Sequence, residues 1–169
     1  MIAPHLESER LCYKPVSMSH LSQDYVNWLN DPEVNRYLET GGNYTIEMLR
    51  AFLEEVEKKE ILFWGIHLKS NGIHIGNIKI DPINKRHGIG EYGILMGRTA
   101  EWGKGYAKEA SQAILNFCFS TIKLRKITLG VVINNVAAVN LYKKLGFRIE
   151  GHYKKHGFYE GNYCDVLRM

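Results

Sequence analysis

"GRTAEWGKGYAKEA", residues Gly97–Ala110, sets three glycines and two lysines directly before a run of good helix formers. The first turn of a helix presents backbone N–H groups that have no partner inside the helix, at the positive end of its dipole. A glycine loop feeding such a turn is therefore a nest for phosphate, and Gly105 lets the backbone come close where a side chain would intrude. Two familiar phosphate motifs do not fit. A Walker loop reads G-x-x-x-x-G-K-[ST], whereas five residues separate Gly97 from Gly103 and Gly105 follows Lys104. A literal G-x-G-x-x-G stands at Gly88, Gly90 and Gly93, but it precedes a strand-like run instead of joining a strand to a helix. What remains is a strand ending at Met96 or Gly97, a loop, and a helix start suited to a pyrophosphate held without magnesium, with an ordinary glycine-rich connection as the alternative that spacing leaves open.

Outward from this stretch the chain reads as one α/β domain over residues 1–169. "ERLCYKPV" is a first strand, and "SMSHLSQDYVNWLN" and "DPEVNRYL" carry helical patterns. Thr45 caps a helix in which Ile46, Leu49, Leu53 and Val56 recur at helical spacing. "ILFWGIHLK" and "IHIGNIKI" flank the turn signal "SNG", which predicts an antiparallel hairpin, and a phase slip near Gly76 and Asn77 calls for a bulge. "EYGILMG" is a fourth strand running into the loop. Beyond the loop, Ala107, Ala110, Ile114, Phe117 and Cys118 mark one helix face, followed by the strand "RKITLGVVI". Ala138, Leu141, Tyr142 and Leu145 mark another helix, which Gly146 closes. "FRIEGHYKK" and "YCDVLRM" are the last strands.

Composition narrows the function classes. A 45% hydrophobic, 24% charged chain can bury a core, and its net charge of +4 comes without an arginine-rich arm or long runs of one sign. Duplex nucleic acid is not expected as a partner, while an anionic small molecule is compatible. The start "MIAPHLESERL" has neither a basic nor an apolar leader region, and the apolar run "ILFWGI" falls far short of the ~20 residues of a bilayer span. A cytoplasmic protein with no membrane partner is expected. The three cysteines, Cys12, Cys118 and Cys164, are odd in number and far apart, so they suggest reduced packing residues and no metal knuckle.

The stretch "WGKGYAKEA" resembles the acetyl-CoA loop of the GNAT superfamily of N-acetyltransferases, in particular its ribosomal-protein N-acetyltransferase-like branch. A second, independent match is "NVAAVNLYKKLGF", Asn135–Phe147, which is similar to that family's later signature of an Asn opening a helix that carries a Tyr and ends in Gly-Phe. The resemblance implies a single GNAT domain: a mixed, mostly antiparallel sheet of about seven strands with four or so helices, splayed between its fourth and fifth strands. It implies acetyl-CoA as co-substrate, no metal, and direct attack of an amine on the thioester. Ala100 departs from the family loop, which carries Gln or Arg there, and Arg98 or Lys104 would then supply the charge.

By the same resemblance, the backbone of Ile94, Leu95 and Met96 takes the pantetheine arm as an added strand. Amides from Trp102, Gly103, Lys104, Gly105, Tyr106 and Ala107 hold the pyrophosphate, and Asn135 ties its segment to the cofactor or simply caps its helix. Tyr142 is the acid for the departing thiolate, although its place on an apolar helix face also suits a core aromatic. Glu91 is the carboxylate that receives the amine proton, with His74, His87 or a water relay as alternatives. A Lys-like amine is less than ~0.1% neutral at pH 7, whereas an α-amine near pKa 7.8 is roughly a tenth neutral, so only the first demands a strong base. The segments Tyr25–Glu39 and His74–Gly88 resemble members that act in amino-sugar biosynthesis. The expected acceptor is accordingly a nucleotide-linked amino sugar, with a peptide α-amine as the alternative and a non-catalytic acetyl-CoA-binding module as a third reading. Tyr153, His156 and Tyr159 are candidates for the acceptor side, and a homodimer is left open.

Overall fold

A computed structural model describes residues 1–169. Nine strands form two sheets: β1 (Leu6–Glu7), β2 (Leu11–Pro15), β3 (Leu62–Leu68), β4 (His74–Asn84), β5 (Ile89–Met96) and β6 (Lys126–Thr128) lie in that order, while β7 (Gly130–Val132), β9 (Asn162–Arg168) and β8 (Gly151–Tyr159) form a second, smaller sheet. Five helices accompany them: α1 (Gln23–Asn30), α2 (Pro32–Asn35), α3 (Ile46–Glu57), α4 (Tyr106–Ser120) and α5 (Val136–Lys144). The expected mixed, mostly antiparallel α/β arrangement is present, as a six-stranded sheet with a small three-stranded one and five helices. No helix is long and apolar enough to cross a membrane.

Local chemistry explains most boundaries. The Thr45 hydroxyl accepts from the Met48 amide at 3.2 Å and starts α3, and Asn135 starts α5 in the same way through the Ala138 amide at 3.3 Å. Gly146 follows α5 at φ +94°, a left-handed position suited to glycine. The β3–β4 hairpin has its bulge at Ile75, next to the expected place, since Ile66 faces Gly76 and His67 faces His74. The bulge lets Ile75, Ile78 and Ile80 all be fully buried although their spacing changes phase. The strand expected at Phe147–Lys155 begins only at Gly151, where pairing with β9 starts.

One departure creates the site. "RKITLGVVI" is not one strand: β6 pairs in parallel with β5 from Ile89 to Glu91, and then Leu129 exchanges two backbone hydrogen bonds with Met169, at 2.9 and 3.0 Å. From there β7 follows β9 instead of β5. Between Tyr92 and Met96, β5 consequently has β4 on one side and no strand on the other. The sheet splays where the family resemblance implied, and the split occurs because Leu129 changes partner. The main core, built around Leu11, Trp64, Ile78 and Ile114, lies under α4. A second cluster around Leu49, Leu53 and Trp28 seats α1 and α3.

Candidate active site

The gap beside β5 opens into a cleft of about 1520 Å³, more than a drug-sized ligand needs and long enough for an extended cofactor with an acceptor beyond it. One wall is β5 from Tyr92 to Met96, and the other is β7 with the start of α5. Alternate backbone groups of β5 face this gap without a strand partner, so an extended chain laid there would be held as an added strand. Of the residues expected at the cofactor, Ile94, Leu95, Met96, Trp102, Gly103, Gly105, Tyr106, Ala107 and Asn135 line the cleft.

Gly105 is the N-cap of α4 at φ +81° and supplies no side-chain cap, which leaves the first-turn amides of α4 free for an anion. Gly103, at φ +76°, shapes the same nest. The Trp102 indole N–H donates to the Met96 carbonyl at 2.9 Å and ties the loop to the end of β5. We expect Gly105→Ala to cost about 1–2 kcal/mol, because an L-residue is forced into the left-handed region. Its thermal melt should therefore fall, and the stabilisation by added CoA should shrink relative to the parent chain.

Arg98 and Lys104 are not brought into the cleft lining. The Arg98 guanidinium pairs with Asp24 at 2.5 Å and the Lys104 ammonium with Glu101 at 2.8 Å, so neither replaces the side chain missing at Ala100. Arg10 acts on the loop instead. It donates to the Lys104 carbonyl at 2.9 Å, pairs with Glu109 at 2.7 Å and lies 4.5 Å over the Tyr106 ring. Glu109 also accepts from the Arg10 amide and the Ser8 hydroxyl. This clamp joins the β1–β2 turn to the first turn of α4, and local sequence gives no sign of a contact across nearly a hundred positions.

Tyr142 sits in the cleft wall, 8% exposed, with its ring edge-on to Tyr92 at 5.7 Å and to Phe147 at 5.9 Å. Burial pushes its phenol up to about 12, so it keeps its proton throughout the neutral range. Its hydroxyl has no hydrogen-bond partner yet is not sealed from solvent, which leaves it available to a group entering the cleft. Tyr92 differs: its hydroxyl bonds Ser111 at 2.7 Å, and Ser111 donates to the Ala107 carbonyl at 2.6 Å.

Glu91 is brought elsewhere. It stands at the last residue pair of β5 with β6, outside the cleft lining, and takes two hydrogen bonds from Arg168, at 2.6 and 2.8 Å, and one from Thr128 at 2.7 Å. Burial raises its carboxyl, but the bonds from Arg168 and Thr128 outweigh that and hold it below the usual carboxylate range. A carboxylate engaged by three donors is a weak proton acceptor. His74 lies in a buried cluster with His20 and His67, where burial first and the two neighbouring rings next push it down to about 3. His87 lies between β4 and β5, away from the cleft.

Further along, Tyr153, His156 and Tyr159 line the same cleft. Opposite them stand residues that sequence reading did not single out: Glu33, Arg36, Tyr37 and Glu39 from α2 and the turn after it. The Tyr159 hydroxyl donates to Glu39 at 2.5 Å, and Tyr37 meets the Tyr159 ring at 6.1 Å. The signal was present in "NDPEVNRYLE", but only the fold brings it across from β8.

Residues 10–148 match the family model described as an acetyltransferase (GNAT) domain. Among proteins of known sequence, a spermidine N(1)-acetyltransferase of Vibrio cholerae is 37% identical over 95 residues, 56% of this chain and 54% of that protein, so the match spans about half the relative's length. Among solved structures, the spermidine N-acetyltransferase of Vibrio cholerae in complex with CoA and spermine superposes with a TM-score of 0.86 at 25% identity, covering 96% of this chain and 95% of that one. A GNAT-family acetyltransferase of Bacillus anthracis gives 0.83 at 25% identity, covering 98% and 96%.

Proposed function

The chain belongs to the GNAT acetyltransferases, and from that premise we propose that it moves the acetyl group of acetyl-CoA to the primary amine of a small cationic metabolite. The observation that carries the reading is the cleft itself. It has an unpartnered strand edge at Tyr92–Met96, an uncapped helix start at Gly105–Ala107 and, in its wall against Tyr92, the phenol of Tyr142. In this reading the pyrophosphate binds the amides at the start of α4, and the pantetheine arm runs along Ile94, Leu95 and Met96. A strand amide donates to the carbonyl oxygen as the amine attacks and the tetrahedral oxyanion forms. The C–S bond then breaks as Tyr142 donates a proton to the sulfur, while the attacking nitrogen gives up a proton to water and Tyr142 regains one from solvent.

Glu33 and Glu39 supply negative potential at the acceptor end, and the faces of Tyr37 and Tyr159 suit an ammonium group, which favours a polyamine-like acceptor. The named substrate of the spermidine-acetylating relatives is of that class. A nucleotide-linked amino sugar is the second reading: the same aromatic faces suit a sugar ring, and Arg36 at the cleft wall would have to exchange its 3.1 Å pair with Glu160 for a phosphate. A Lys-like amine is almost fully protonated at pH 7, so a proton must leave before attack. With Glu91 bound to Arg168, a water relay to solvent is the favoured route.

The deciding experiment measures CoA thiol release with spermidine, a nucleotide-linked amino sugar and a peptide with a free amino terminus. Release with spermidine alone supports the polyamine reading, and release with the sugar or the peptide transfers the assignment to that acceptor. Acetyl-CoA binding with no release for any amine would favour a non-catalytic module. Glu91→Gln should destabilise the fold by about 1 kcal/mol through the weakened Arg168 pair, leaving the shape of the pH–rate profile unchanged. A profile that loses its acid limb in that variant would make Glu91 the base.

A further inference from the structure

Away from the cleft, the fold gathers three imidazoles from distant parts of the chain. His20 ends the 3-10 turn after β2, His67 lies near the end of β3 and His74 begins β4, and one ring nitrogen from each lies within 4.8 Å of the others. The His67 and His74 rings stack at 4.8 Å with 18° between their planes, and His20 meets His74 edge-on at 4.9 Å. Trp28 closes the side toward α1, 4.8 Å from His74. His20 and His67 are 4% and 7% exposed, while His74 is half-buried and gives the cluster its opening.

The backbone fixes the far side of each ring. Nδ1 of His67 donates to the Gly65 carbonyl at 3.2 Å, which leaves the lone pair on Nε2. Nε2 of His74 donates to the Gly76 carbonyl at 2.9 Å, which leaves the lone pair on Nδ1. Nδ1 of His20 lies 3.2 Å from the Ser17 amide and 3.3 Å from the Ser17 carbonyl, so it is partnered in either tautomer. The Nε2 of His20 is buried without any partner, and so is Nδ2 of Asn77, whose Oδ1 touches His74 at 2.9 Å. Histidines that bind metals have this arrangement, with one nitrogen toward the ion and the other donating to a carbonyl.

We propose that His20, His67 and His74 form a three-imidazole site for a borderline divalent transition cation, Zn²⁺ in the first place. The donor set excludes Ca²⁺ and Mg²⁺, which require oxygen ligands, and suits Zn²⁺, Cu²⁺ or Ni²⁺. Tetrahedral Zn–N bonds of about 2.0–2.1 Å put the three nitrogens about 3.4 Å apart, so closing on an ion draws them in from within 4.8 Å and turns the stacked His67 and His74 rings out of parallel. Three neutral ligands leave the charge of the ion uncompensated, with Lys14 as a nearby cation, and the fourth position therefore goes to an anion such as hydroxide or chloride. The site is structural: it staples the turn after β2 to the β3–β4 hairpin. The neighbouring Ile75 carbonyl holds the Gly97 and Arg98 amides at 3.0 and 3.2 Å, where β5 passes into the phosphate loop.

The test uses the full chain without an affinity tag, stripped with a chelator and titrated with Zn²⁺ by calorimetry. One equivalent should bind, the melting temperature should rise, and X-ray absorption of the zinc-loaded chain should show imidazole nitrogens at about 2.0 Å. His67→Gln should weaken binding at least about tenfold while CoA still stabilises the variant. His152→Gln removes the exposed His152–Asp165 pair of the other sheet and should leave zinc binding unchanged. Sub-stoichiometric binding, unchanged affinity in His67→Gln, or loss in His152→Gln would each reduce the cluster to aromatic packing. If His67→Gln fails to fold, the absorption spectrum of the parent chain decides: oxygen-only coordination overturns the proposal.

Discussion

Tyr142→Phe is expected to lower turnover at least about tenfold, within the range that general acid catalysis supplies, while the melting temperature and acetyl-CoA binding change little. The ring packs edge-on to Tyr92 and Phe147, and Phe keeps those contacts. Only a hydroxyl without a hydrogen-bond partner is lost, so no buried group is orphaned. The bound is set at tenfold, about 1.4 kcal/mol, for a reason visible in the acidities. Burial pushes the phenol up to about 12, whereas an ordinary thiol sits near 8.5, so complete proton transfer to sulfur is uphill in water. The same burial destabilises a thiolate departing into the cleft, which is where a hydrogen bond from Tyr142 becomes effective. If the interaction belongs to the transition state alone, kcat and kcat/KM fall together with KM for acetyl-CoA unchanged. Because the phenol titrates only near 12, Tyr142 should contribute no limb to the pH–rate profile between pH 6 and 9. Turnover close to that of the parent chain would remove the acid role and leave Tyr142 as a core aromatic.

Residues close in sequence were readable, and residues paired across the fold were not. Asn135, Gly146 and Thr45 act through neighbours a few positions away, so capping chemistry gave their elements directly. Gly103 and Gly105 announce a left-handed loop before a helix, and both have positive φ. Glu91 looks from sequence like a free carboxylate at a strand end, and only the return of β9 at the end of the chain supplies Arg168. Arg98 likewise looks like an anion ligand until Asp24 of α1 engages it, whereas the Lys104–Glu101 pair, three residues apart, is within reach of a local reading. The histidine trio is invisible locally because its members belong to three separate segments, which the β2–β3 and β3–β4 pairings bring together. The splay itself rests on Leu129, an ordinary apolar residue in a strand-like run, whose change of partner depends on Met169.

Gly76→Ala should be a severely damaging single-methyl change beside the cleft. Gly76 lies opposite Met96 in the β4–β5 ladder, and a Cβ there would come 2.3 Å from the Leu95 carbonyl oxygen and 3.1 Å from the Met96 Cα. Both atoms are backbone, so no rotamer relieves the contact and β5 must move. Overpacking of this kind costs about 1–3 kcal/mol, and a rigid backbone neighbour puts the expectation at the upper end, a fall in melting temperature of about 6–12 °C. The displaced residues are those whose other side faces the cleft, and the Met96 carbonyl also holds the Trp102 indole of the phosphate loop. KM for acetyl-CoA should therefore rise more than KM for the amine in whatever folded enzyme remains. Gly93→Ala is the control, because a Cβ at that β5 position meets only the flexible Lys79 side chain, at 3.4 Å. Its melting temperature should stay near that of the parent chain. Equal destabilisation in the two variants would mean that β5 resists any added methyl; damage confined to Gly76→Ala would mean that the close approach of β4 sets the position of the strand edge on which the cofactor lies.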